Sequence, residues 1–195
     1  FIMEQFIKLT AKVTPVNLDN VDTDMIIPAQ HLKSVSKEGF GEHLFSNLRQ
    51  MYPDFILNQP AYTSGEVLIS KSNFGCGSSR EHAAWAIQQY GFKAVICSSF
   101  GDIFFNNAAK NGILLITLPE NVIETWINLS LADSNLEINI NLENQTVNFA
   151  NESHTFTYDS FRKHCLLNGL DDLDYLLSLN TEISQYEQKN CTTSW

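Results

Sequence analysis

No stretch of about eighteen consecutive apolar residues occurs in the 195-residue chain, which excludes a membrane-spanning helix and leaves no expected membrane partner. The first residues lack the basic stretch, apolar segment and small-residue cleavage site of a secretory leader, so the expected compartment is the cytoplasm. Phe1 and Ile2 precede Met3 and read as a remnant of a cloning vector. Positive charge is scarce: 12 Lys and Arg stand against 22 Asp and Glu, a formal net charge of -10, and no Lys/Arg run concentrates the bases. Such a chain repels a phosphate backbone, which argues against nucleic acid as a partner. Arginine is scarcer still, with only Arg49, Arg80 and Arg162, so an anionic substrate must be met by very few groups.

Cysteine is sparse and dispersed. Cys76, Cys97, Cys165 and Cys191 form no C-x-x-C pair and have no histidine at zinc-ligand spacing, so the chain encodes neither a zinc site nor a self-contained iron-sulfur site. Reduced thiols are the expectation for such a protein. The Asn-x-Ser/Thr sequons at Asn128, Asn144, Asn151 and Asn190 carry no meaning without secretion. Internal repeats and low-complexity linkers are also missing.

What is present fits an ordinary globular protein with 44% hydrophobic and 17% charged residues. Length favours one domain spanning 1–195, with a helical extension from about residue 159. Charge is divided unevenly: residues 1–119 hold ten acids and nine bases, whereas 120–195 hold twelve acids and three bases.

Hydrophobic patterning predicts a first strand over Phe6–Val13, turn chemistry from Pro15 to Asp24, and a short helical step at Met25-Ile26-Ile27-Pro28. Gly39–Tyr52 reads as an amphipathic helix stopped by Pro53. Strands are predicted at Glu66–Ser70, Ala94–Cys97 and Ile113–Leu118. Helices are predicted from the Ser78 region to Tyr90, over Asp102–Asn111, and from Pro119 through Trp126. This alternation predicts an α/β arrangement with parallel pairing. Leu136–Leu142, Thr146–Phe149 and His154–Tyr158 then predict an antiparallel meander, and Asp159–Leu167 and Asp171–Leu179 two short helices. The tail, Thr181–Trp195, reads as frayed or helical at the surface.

The informative segment is Ser72-Asn73-Phe74-Gly75-Cys76-Gly77-Ser78-Ser79-Arg80-Glu81-His82, between a strand and a helix. It offers backbone N–H groups at the positive end of a helix dipole, which is a ready anion site. Arg80 adds a guanidinium fork for a carboxylate, and the hydroxyls of Ser78 and Ser79 can serve the same anion. The plainer alternative is a tight turn in which Ser78 and Glu81 form a capping box and Arg80 pairs with a surface acid. Arg80 stands where G-x-G-x-x-G needs its third glycine, and neither serine sits in G-x-S-x-G. Dinucleotide binding and α/β-hydrolase chemistry therefore lose support.

The segment Asn73 to Ala83 closely resembles the signature of the 3-isopropylmalate dehydratase small subunits, a family of the aconitase superfamily. Three further stretches resemble that family in the same order. They are Asn20-Val21-Asp22-Thr23-Asp24-Met25-Ile26-Ile27-Pro28, Ser99-Phe100-Gly101-Asp102-Ile103-Phe104 with the asparagines up to Gly112, and Phe161-Arg162-Lys163-His164-Cys165-Leu166-Leu167-Asn168-Gly169-Leu170-Asp171. The resemblance implies the swivelling β/β/α fold of the aconitase C-terminal domain as a separate polypeptide. It also implies a large partner subunit carrying a 4Fe-4S cluster, with none held by this chain. The implied activity is that of a hydro-lyase of leucine biosynthesis, which moves the hydroxyl of 2-isopropylmalate by dehydration and rehydration.

The aconitase pattern carries the proton-abstracting base onto Ser78 and substrate-carboxylate contacts onto Ser79 and Arg80. A free serine is too weak an acid for this, so the helix N-terminus, Arg80 and the partner's metal must stabilise an alkoxide. The same pattern places Asp24 in the active site, orienting a partner histidine; as a plain turn residue it would instead cap the helical step. The loop from Pro28 to Ser36 is expected to close over the site, with Leu32 against the isopropyl group. His82, Cys76, Trp85 and Ile87 read as structural, while Arg162 and Lys163 serve either a second carboxylate or a subunit contact. Ala84 stands where the family has proline, Ala29 where lysine is common, and Cys97-Ser98 where Ala-Pro is usual. Two other readings remain: a small subunit acting on citramalate or homocitrate, and a non-catalytic anion-binding module. Retention of both Asp24 and the Ser78-Ser79-Arg80 run speaks against the module.

Overall fold

The protein is described from a computed structural model, which covers residues 3–32 and 37–190, excepting the side chains at 181, 182, 189 and 190. Phe1, Ile2, Cys191 and residues 33–36 of the expected substrate loop lie outside the described residues. Among those described, seven strands form one mixed sheet: β1 (Lys8–Val16), β2 (Val67–Ser70), β3 (Ala94–Cys97), β4 (Leu114–Thr117), β5 (Glu137–Asn141), β6 (Thr146–Phe149) and β7 (Glu152–Thr155). Their spatial order is β4-β3-β2-β1-β5-β6-β7. β1 to β4 are mutually parallel, whereas β5 joins the other side of β1 antiparallel and continues as a meander into β6 and β7. The helices are α1 (Thr23–Ile26), α2 (Ser46–Met51), α3 (Glu81–Tyr90), α4 (Asp102–Lys110), α5 (Glu120–Ala132), α6 (Ser160–Asn168), α7 (Asp172–Ser178) and α8 (Asn180–Asn190).

The central strands are apolar without interruption because helices cover both of their faces. Side chains alternate between two cores. Leu68, Val95, Cys97 and Leu115 join Ala83, Ile87, Phe104 and Ala108 of α3 and α4. Val67, Ile69, Ala94, Ile96, Leu114 and Ile116 join Ile123, Trp126 and Ile127 of α5, together with Ile138, Ile140 and Phe149 of the meander. Each fully buried aliphatic or aromatic side chain stabilises the fold by about 1.5–3 kcal/mol. Trp126 is wholly buried, and its indole N–H donates to Glu152 Oε2 at 2.8 Å, tying α5 to β7.

Five sequence expectations shift. β1 runs on through Pro15 instead of turning there, because β5 reaches only Lys12 and the proline lies where β1 has an open edge. The helix expected over Gly39–Tyr52 is broken into a single 3-10 turn, Gly41–His43, and α2. Between them Phe45 adopts φ 52°, donates its N–H to the Ile26 carbonyl at 2.9 Å, and is fully buried with Leu44. Burial of two adjacent large side chains outweighs helical continuity there. The last strand begins at Glu152, not His154, because Ala150 and Asn151 both take positive φ and turn the hairpin at once. α5 extends six residues beyond Trp126, and Pro119 caps it from outside rather than occupying its first turn. Finally, the N-cap of α3 is Arg80 and no side chain caps that helix, so the Ser78/Glu81 capping box does not form. The three helices after residue 159 follow the meander, and α8 carries the expected tail as a helix as far as Asn190.

Candidate active site

Parallel strands deliver their following loops to one end of a sheet, and here the loops after β1, β2 and β3 are stitched to each other there. Isolated bridges join Asp22 to Cys76 and Phe74 to Phe100. The Gly75 N–H donates to the Val21 carbonyl at 2.7 Å and the Thr23 N–H to the Cys76 carbonyl at 3.0 Å. On the other flank, the Phe74 N–H donates to the Ser99 carbonyl at 3.0 Å and the Gly101 N–H to the Phe74 carbonyl at 2.9 Å. Two glycines permit this stacking. A Cβ on Gly75, whose φ is +74°, would lie 2.2 Å from the Phe104 ring, and one on Gly101 would lie 2.6 Å from the Gly75 carbonyl oxygen.

The stitched loops place Ser78 and Ser79 on the surface immediately before α3. Both are exposed, and among the described residues neither hydroxyl has a hydrogen-bond partner. The Ser78 main chain is nevertheless fixed, because its carbonyl accepts from Thr23 Oγ1 at 3.0 Å and Thr23 is itself buried. Arg80 folds back across α1. Its Nη1 donates to Asp24 Oδ1, its Nη2 donates to Asp24 Oδ2 at 2.8 Å, and the Ile27 carbonyl accepts at 3.4 Å. A hydrogen bond from Arg80 holds the Asp24 carboxyl below the usual carboxylate range, against a smaller opposing effect of desolvation.

Asp24 therefore does not cap α1. That is done by Asp22, whose Oδ1 accepts from the Met25 N–H at 2.7 Å. Leu32 follows a 3-10 turn at Ala29–His31 and packs, half-buried, against the α3 side of the core. His82 sits in an aromatic cluster, edge-on to Phe40 and Trp85 at ring distances of 5.1 and 4.7 Å. Burial raises the Cys76 thiol, and the Asp22 carboxylate adds to this, so the sulfur stays protonated near neutral pH. Arg162 and Lys163 take up contacts within the fold. Arg162 donates to Asp172 Oδ1 at 3.0 Å, and Lys163 to the Glu143 carbonyl at 2.7 Å and to Gln145 Oε1 at 3.0 Å.

Sequence reasoning missed the residues that hold the loops together. Asn20 and Asn73 both adopt positive φ and are joined by a 2.8 Å amide hydrogen bond. Asp19 Oδ1 accepts from Ser72 Oγ at 2.6 Å, and Ser99 Oγ accepts from the Asn73 N–H at 2.8 Å. The available signal was an asparagine preceded by Asp19 or Ser72 just past a strand end, where a left-handed turn residue is favoured.

No group of three or more His, Cys, Asp or Glu side chains among the described residues is arranged to hold a metal ion. Cys97 is fully buried on β3, Cys165 is buried on α6, and Cys76 lies in the turn, so these thiols do not fit an iron-sulfur cluster. No helix among the described residues is long and apolar enough to cross a membrane.

Comparison with known proteins agrees with this architecture. The sequence profile of the aconitase C-terminal domain matches residues 3–121. The 3-isopropylmalate dehydratase small subunit of Francisella philomiragia is 48% identical over 95% of this chain and 98% of its own length. The small subunits of Paramagnetospirillum magneticum and Cereibacter sphaeroides are 46% and 44% identical, each over 98% of its own length and over 98% and 97% of this chain. Among solved structures, 3-isopropylmalate dehydratase of Methanocaldococcus jannaschii superposes with a TM-score of 0.69 at 25% identity, covering 92% of this chain and 99% of its own.

Proposed function

The chain belongs to the aconitase C-terminal domain family and, within it, to the 3-isopropylmalate dehydratase small subunits; from this premise we propose that it supplies the proton-transfer and carboxylate-binding side of that hydro-lyase. It is read as a single swivelling β/β/α domain over 1–195 with a helical extension from about 159, working in the cytoplasm beside a large subunit. The substrate is 2-isopropylmalate, isomerised to 3-isopropylmalate through an alkene in leucine biosynthesis.

One observation carries the reading. Three separate loops converge to hold Ser78 and Ser79 exposed immediately before Arg80, the residue from which α3 starts. That is half a site: hydroxyls, a helix N-terminus and one carboxylate fork on an open surface. The missing half includes whatever withdraws the hydroxyl. The 4Fe-4S cluster that the family resemblance implies is assigned to the large subunit.

Ser78 Oγ, as an alkoxide, accepts the carbon-bound proton and becomes a neutral hydroxyl, and the N-terminal end of α3 favours the negative charge that oxygen carries before the transfer. Its carbonyl bond to Thr23 fixes the backbone from which the hydroxyl projects. Ser79 donates to a substrate carboxylate, and Arg80 holds one by paired N–H donors. Leu32 is assigned to the substrate's alkyl group.

The test is anaerobic mixing of the chain with a cluster-bearing large subunit and 2-isopropylmalate, followed by alkene absorbance. Alkene formation that requires both chains supports the reading. Turnover of citramalate or homocitrate instead would move the substrate. A stable complex without turnover of any of the three would leave an anion-binding module.

A further inference from the structure

Arg80 is the cation that the glycine turn offers an anion, and in this structure it is already occupied. Asp24 faces both terminal nitrogens, the Ile27 carbonyl takes a third contact, and the arginine side chain is only 17% exposed while that of Asp24 is 58% exposed. A carboxylate opposite both terminal nitrogens of a guanidinium is the arrangement in which a substrate carboxylate would be gripped. α1 does not require Asp24 for its own stability, since Asp22 caps it. The other two arginines are engaged elsewhere, Arg49 with Asn58 and Arg162 with Asp172. The turn therefore presents an approaching dianion with a neutral pair and an exposed negative edge.

We propose, building on the reading of Ser78, Ser79 and Arg80 given above, that Asp24 is an internal carboxylate occupying the substrate's place on Arg80 in the unassembled chain. It acts as a latch that keeps the turn closed to dicarboxylates until the large subunit offers Asp24 another cation. Asp24 is then a positioning residue acting through Arg80. Two costs oppose a dicarboxylate in the latched state: separation of the Asp24–Arg80 pair, and repulsion between the released carboxylate and the incoming one. Assembly removes both if a partner cation draws Asp24 aside, which couples substrate affinity to complex formation.

The test is isothermal titration calorimetry of the full chain, without its partner, against 2-isopropylmalate and separately against succinate at neutral pH. The native chain is expected to bind both poorly. Asp24→Asn, which removes the charge at nearly constant shape, is expected to bind about tenfold more tightly, and the double variant Asp24→Asn with Arg80→Lys to lose that gain. Asp24→Ser serves as a second removal of the carboxylate if the asparagine variant does not fold. Unchanged or weaker binding in the folded Asp24 variants would overturn the latch and make the ion pair part of the working site. A gain that persists without Arg80 would overturn it as well. Turnover by the native assembled enzyme tests the parent reading separately. If turnover is present and the calorimetric gain absent, only the latch falls; if turnover is absent, the hydro-lyase reading falls whatever the calorimetry shows.

Discussion

Two regions meet at β1, and they are built differently. On one side, β1 to β4 with α3 and α4 form a parallel α/β unit whose strands are buried on both faces, and whose loops converge on the Ser78–Arg80 turn. On the other side, β5 and β6 alternate buried and exposed residues, β7 buries none, and the meander is followed by α6, α7 and α8. α7 and α8 leave Leu173, Leu176, Leu177, Ile183 and Tyr186 more than 40% exposed. The division repeats at two other levels. The aconitase C-terminal domain profile ends at residue 121, close to where the charge balance turns from ten acids and nine bases to twelve acids and three. The small-subunit relatives nonetheless align across nearly the whole chain. The sequence shared with the wider family is therefore that of the first region, and the second is shared with the small subunits alongside it.

The two regions separate most sharply when the turn's hydroxyl is removed and the scaffold is left untouched. Ser78→Ala should lower turnover of the assembled enzyme by about a thousandfold while leaving complex formation and circular dichroism unchanged. Next in size is Gly75→Ala. It forces a Cβ into the Phe104 ring at a positive φ, and should destabilise the chain by about 2–4 kcal/mol in urea denaturation.

The second region should respond first to acid. Asp172 receives Lys110 and Arg162 at 3.1 and 3.0 Å, linking α7 to α4 and α6. Burial opposes ionisation there, but the two cations prevail and hold its carboxyl below the usual range. A depressed folded pKa means that the linkage is intact above the ordinary carboxylate range and is lost as pH falls through the lowered value. Hydrogen exchange should therefore show α7 opening on acidification while β2 and β3 stay protected. The smallest effect is expected on the exposed apolar face, where Leu176→Ser should shift stability by no more than about 0.5 kcal/mol.

Most of the parallel unit was legible because its signals are local. Val67–Ser70, Ala94–Cys97 and Leu114–Thr117 are apolar runs bounded by turns, and Gly91 closes α3 in the left-handed conformation. What was missed depends on distant partners. The break at Phe45 follows from a hydrogen bond to Ile26 and from burial, neither visible in helical periodicity. The absent capping box has a similar origin, because Thr23 and Asp22 set the path of the turn before α3 begins.

Within the site, spacing nominated Ser78, Ser79 and Arg80, and resemblance added Asp24. The structure brings Asp24 and Arg80 into direct contact across 56 residues of sequence. That contact could not be read from either motif alone. Nor could the Asn20–Asn73 bond, because each asparagine marks an ordinary turn until the two loops are seen side by side.

Whether the glycine-serine turn contributes one half of a hydro-lyase site is decided by alkene formation in the reconstituted complex, with the native chain and with Ser78→Ala. Alkene is expected only when both subunits are present, and is expected to be lost in the variant although the complex still forms. Full activity in a correctly assembled Ser78→Ala complex, or activity of either subunit alone, would contradict it.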